Sequence, residues 1–165
     1  MHSVTATMSS GYHHAKETKK VGATFTVVSL LLCLLILIYQ LSNQWLALLL
    51  GAIVGLWLGH LVTPDYDVNR GNYIKRKLII RYGLLGRLWA LYWWPYALVQ
   101  PHRGISHTWP NGTFLRYLLS VWPLFIVFVY AVGWEYIDSF DGLLFLIGVF
   151  SGQSIQDWTH LIMDR

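Results

Sequence analysis

The chain has 165 residues, 55% of them hydrophobic and only 12% charged, with nine tryptophans and a net charge of +4. Soluble domains carry charge on roughly a quarter of their residues, so the composition excludes an ordinary soluble enzyme and points to one integral membrane domain, residues 1–165. The single cysteine, Cys33, lies in an apolar run, which excludes an internal disulfide and a cysteine-based zinc site.

The first twenty residues are polar and do not read as a cleaved leader, so the apolar run after them is expected to be retained as a span. His13 and His14 stand just ahead of it. Residues 22–39 are apolar throughout, and residues 45–63 follow after the polar turn LSNQ; each is long enough to cross a bilayer as a helix. Gly51, Gly55 and Gly59 recur every four residues in the second run, a helix face that lets a neighbour come close. His60 is near its end. The sequence TPDYD comes next, with Asp65 and Asp67 as a D-x-D pair in a turn opened by Pro64. Two such carboxylates can hold one divalent ion or bridge two, and are equally at home in a solvated turn.

Residues 64–113 are predicted as a cytoplasmic loop. Its stretch NRGNYIKRKLIIRYGLLGR interleaves cations with aromatics, a pattern that fits anionic lipid headgroups better than nucleic acid. Residues 84–99 are aromatic and broken by Pro95, so an interfacial or re-entrant segment is expected. The sequence PHRGISHT then sets His102 and His107 five residues apart. On a helix they would point about 140° apart, but Gly104 permits a bent loop that aims both at one point. Arg103 between them could hold an anionic group such as a phosphate.

Residues 114–134 and 142–163 are the third and fourth expected spans. The fourth turns from apolar GLLFLIGVF to polar SGQSIQDWTH. Gln153, Asp157, His160 and Asp164 fall in one stripe within about 60° of arc. Ionisable groups at membrane depth are costly against lipid, so the stripe should face the bundle or a wet cavity, as the wall of a site or as glue between helices.

All twelve Lys and Arg residues lie before the first span, between the second and third, at the start of the third, or at the chain end. The opposite loops carry Glu135, Asp138 and Asp141 instead. The positive-inside rule therefore puts both termini in the cytoplasm. The same topology gathers His13, His14, His60, Asp65, Asp67, His102, His107, Asp157, His160 and Asp164 at one membrane face. His and Asp form a ligand set for zinc, manganese or iron.

The ordered segments SGYHHAKET, TPDYDVNRG, WWPYALVQPHRGISHT, NGTFLRYLL and SGQSIQDWTHLIMD resemble a cyanobacterial-type family of metal-binding integral membrane proteins of unknown function. More distantly they look like the YdjM-like inner-membrane proteins described as metal-dependent hydrolases. The resemblance covers nearly the whole chain. It implies a metal site made by His14 (with His13 as the alternative), Asp65, Asp67, His102, His107, His160 and Asp164. It departs at Ala15, where an acidic residue is common in the family, and in the additional acidic candidate Asp157.

The expected fold is all-α: a polytopic membrane protein with four transmembrane helices plus an interfacial or re-entrant aromatic segment, in a bacterial-type inner membrane. The expected function is a metal-dependent hydrolase at the cytoplasmic face, holding one to three ions, zinc ahead of manganese or iron, and acting on a membrane-associated phosphoester. Asp157 would orient His160 or act as a base, and Arg103 would neutralise a phosphate. The alternative is a metal-stabilised scaffold without catalysis, whose Trp89, Trp93, Trp94 and Tyr96 meet a protein partner or lipid. An ion transporter would need polar residues through the whole bilayer, and here they cluster at one side.

Overall fold

Residues 3–67, 72–99, 104–132 and 140–163 are described by the computed structural model. Among them the chain is helical, with no strand. The helices are α1 (Ser3–Ile38), α2 (Asn43–Leu61), α3 (Tyr73–Tyr82), α4 (Leu84–Tyr92), α5 (Trp94–Val99), α6 (Asn111–Val132) and α7 (Phe140–Met163). Short 3-10 turns cover Pro64–Asp67 and Ile105–His107.

The four apolar runs read from the sequence become α1, α2, α6 and α7. The first helix begins well before residue 22, because no proline interrupts the polar segment ahead of the apolar run. Ser42 caps α2 by accepting from the Gln44 backbone N–H at 3.3 Å. Among the described residues, two helices are long and apolar enough to cross a membrane: Ala15–Ile38 and Gln44–Leu61. The second half of α7 is lined with Gln153, Gln156, Asp157 and His160, all buried.

α2 and α7 pack backbone to backbone. A Cβ on Gly51 or Gly55 would run into the carbonyls of Phe145 or Val149, and one on Gly148 or Gly152 into those of Leu48 or Ala52. Each helix thus offers small residues to the other, as close helix approach requires. α1 joins this pair through hydrogen bonds. The Gln156 amide donates to the Thr18 carbonyl at 2.9 Å, and the Trp57 indole donates to Thr26 Oγ1 at 3.2 Å.

The stretch predicted as a loop over 64–113 is largely helical where described. Asn72 caps α3 by accepting from the Lys75 N–H at 2.9 Å. Gly83, at φ +54°, ends α3 and starts α4, a left-handed turn that favours glycine. Pro95 falls in the first turn of α5, where a missing N–H costs nothing.

The aromatic segment is folded inward in part. Trp93 and Tyr96 form a small core with Val62, flanked by Leu61, Trp89, Leu115 and Leu119. Trp93 and Tyr96 are therefore interior residues, while Trp94 is half exposed. Pro123 inside α6 removes the helical donor to the Leu119 carbonyl. The Tyr92 hydroxyl supplies one in its place at 2.6 Å, tying α4 to α6.

Candidate metal centre

Three distant parts of the chain meet at one point. Asp65 sits on the 3-10 turn just past α2, directly after the buried Thr63 and Pro64. His107 closes the second 3-10 turn, immediately ahead of α6. His160 lies in the last part of α7, at the end of the buried polar stripe. One ligand atom from each residue lies within 4.8 Å of the other two. His107 Nε2 stands 3.5 Å and His160 Nε2 3.4 Å from Asp65 Oδ1.

These separations exceed a good hydrogen bond of about 2.7–3.2 Å. They match the spacing of donors around one cation. Two ligands about 2.0–2.1 Å from a tetrahedral ion stand roughly 3.3–3.4 Å apart. A carboxylate oxygen with two imidazole nitrogens is also the donor type that zinc and similar transition metals take, so the residues present fit a divalent cation. Burial alone would push the Asp65 carboxyl up, but the His107 and His160 imidazoles beside it hold it well below the usual carboxylate range.

A second layer of polar groups fixes these ligands. Ser106 Oγ is 3.1 Å from His107 Nδ1, leaving Nε2 to face the centre. Gly112 lets the start of α6 press against the Ile105 and Ser106 carbonyls, where a Cβ would collide. Arg116, fully buried on α6, donates through Nη1 to the Ser106 carbonyl and through Nη2 to Asp157 Oδ2 at 2.6 Å. It also reaches the Tyr96 hydroxyl at 3.5 Å. One guanidinium thus joins the His107 turn to the helix that carries His160.

Of the residues singled out in the sequence, the structure brings together Asp65, His107 and His160. Asp157 pairs with Arg116 Nη2 at 2.6 Å and so ties α7 to α6. Asp67 shares the Pro64–Asp67 turn and His14 lies on α1, but their side chains are outside what is described. His102, Arg103 and Asp164 lie outside the described residues. His60 belongs to the α1–α2 contact, with Nδ1 3.1 Å from Thr18 Oγ1, and His13 is exposed beside Tyr12. The sequence reading missed Arg116 as a site residue and counted it only as a charge. The signal was present: a lone arginine in an apolar helix needs a buried anion, and Asp157 lies in the polar stripe of another apolar run.

The profile of a family described as uncharacterized metal-binding protein (DUF2227) matches residues 10–165. No curated protein and no solved structure matches the chain.

Proposed function

This chain belongs to the DUF2227 family of uncharacterized metal-binding proteins, and from that premise we propose that it is a metal-dependent membrane hydrolase whose cation is held by Asp65, His107 and His160. The observation that carries the reading is the three-donor cluster itself. The side chains of His107 and His160 are 9% and 2% exposed, whereas that of Asp65 is 30% exposed. Three protein ligands are the number that catalytic zinc sites use, with a fourth position kept for water. A bound cation would supply an activated water and polarise a phosphoryl or ester oxygen. The chain's own part is to aim the ligands: Ser106 sets the His107 ring, and Arg116 with Asp157 fixes the spacing of the two histidines. Asp67, His14, His102 and Asp164 are the further ligands if more than one ion binds, and Arg103 is the candidate for meeting an anionic substrate.

Four spans, both termini on the cytoplasmic side of a bacterial-type inner membrane, and a phosphoester substrate at that surface complete the proposal. The distribution of Lys and Arg supports the orientation. The apolar surface of α1 supports membrane insertion: Phe25, Val27, Val28, Leu30, Leu31, Leu34, Leu35 and Leu37 are all exposed. A kinship with YdjM-like hydrolases is part of the same proposal. A scaffold with a saturated structural ion is the second reading, favoured by the near-complete burial of both histidines.

The test is elemental analysis of detergent-purified protein prepared without chelators, wild type beside His107→Ala/His160→Ala. Stoichiometric zinc, manganese or iron in the wild type and its loss in the variant are expected, followed by metal-dependent turnover of chromogenic phosphoesters. No metal in either protein after add-back would overturn the centre. Bound metal without turnover, and with no water signal on the ion, would favour the scaffold.

A further inference from the structure

The hairpin of α3 and α4 presents a surface that the metal centre does not use. At its tip Ile80, Leu84 and Leu85 are 81%, 71% and 70% exposed, and Leu88 and Leu91 continue the strip at 52% and 63%. Leu84, Leu88 and Leu91 follow helical spacing along one side of α4. The opposite side carries Gly86, pressed against the Leu78 carbonyl of α3. The apolar strip is thus turned outward by the packing of the hairpin itself.

Exposed Lys77, Arg81 and Arg87 flank this strip. Lys77 Nζ lies 5.9 Å from the centre of the Tyr73 ring, and the Arg81 guanidinium 5.6 Å from that of Tyr82. No acidic residue occurs anywhere between Asp67 and Glu135. An apolar strip bordered by cations with apolar stems, and with no anion nearby in sequence, complements a surface that is negative outside and apolar beneath.

We infer that the α3–α4 hairpin docks into an anionic phospholipid leaflet, with Ile80, Leu84, Leu85 and Leu88 below the headgroups and Lys77, Arg81 and Arg87 among them. The inference rests on the proposed membrane insertion of α1 and α2. It adds an interfacial contact in the segment that follows Asp65 in the chain. Such a contact sets the height of the metal centre above the lipid, and so directs it to substrates at the headgroup level.

The experiment uses the full chain in lipid nanodiscs, in a Cys33→Ser background, with a nitroxide attached at Leu85→Cys or, separately, at Leu31→Cys on α1. Collision rates with oxygen and with a water-soluble nickel chelate report lipid or water around each label. In discs containing phosphatidylglycerol, both labels are expected to favour oxygen. In pure phosphatidylcholine, or with Lys77→Gln/Arg81→Gln, the Leu85 label is expected to become wetter, the ratio of docked to undocked hairpin falling roughly fivefold per cation lost in the variant. A wet Leu85 label beside a lipid-exposed Leu31 label would overturn the hairpin contact and leave the spans standing. Two wet labels would overturn both. Equal burial in both lipids would overturn the assignment to anionic headgroups. A Leu85 label shielded from both reagents, in a protein that runs as a dimer, would give the face to a second copy instead.

Discussion

Ser106 and Arg116 do for the metal centre what the ligands cannot do alone. An imidazole can present either nitrogen to a cation, and the group bonded to the other one selects which. Ser106→Ala removes the partner of His107 Nδ1 and should weaken metal affinity by about 10–100-fold, read by competition with a chromophoric chelator; an unchanged affinity would show that the ring is fixed by packing. Arg116→Met leaves Asp157 as a buried, unpaired charge and should cost about 3–5 kcal/mol. The double variant Arg116→Met/Asp157→Leu should recover most of that stability in thermal unfolding, yet bind metal more weakly, because the tie between the His107 turn and α7 is gone. Acidity acts at the same residues. Protons compete with the cation for imidazole and carboxylate, so metal loading should fall as pH is lowered. In the metal-free protein the Asp65 carboxyl titrates lower when folded than when unfolded. Its contribution to stability is therefore present above the ordinary carboxylate value of about 4 and fades as pH falls below it. Thermal midpoints of chelated and metal-loaded protein, followed from neutral to acid pH, would separate the two effects.

Two kinds of glycine hold the elements together, and substitution should distinguish them. Gly55 is needed for space, since any side chain would strike the Val149 carbonyl and force α2 off α7. Gly55→Leu should destabilise the protein by about 3 kcal/mol or more and should disturb the metal centre as well, because Asp65 follows α2 and His160 ends α7. Gly83 is needed for its backbone angle, with open space around its α-carbon. Gly83→Ala should cost about 1–2 kcal/mol through strain alone and leave metal affinity unchanged. The spacing of Gly51, Gly55 and Gly59 announced close helix approach in the sequence. The partner was less legible: Gly148 and Gly152 also recur at four, but nothing local says which helix they face.

Across the whole molecule, the segments that supply ligands lie far apart in the chain and the packing of α2, α6 and α7 converges them. If the chain spans the membrane four times, both ends emerge on one side. A reactive cysteine placed near either terminus in the Cys33→Ser background should then be labelled by an impermeant reagent from the cytoplasmic face only. Labelling of the two ends from opposite faces would remove one crossing.

The helical class, the length and order of the apolar runs, and the residue types able to bind a cation are all legible in the amino-acid order. Those follow from periodicity, composition and side-chain chemistry, all local properties. That Asp65, His107 and His160 share one point while Asp157 pairs with Arg116, and that Trp93 turns inward as Trp94 turns out, follows from the packing of the helices. A stripe on a helix fixes which residues point the same way, but not what stands opposite. That depends on how closely two backbones can approach, and here the glycines of α2 and α7 set it.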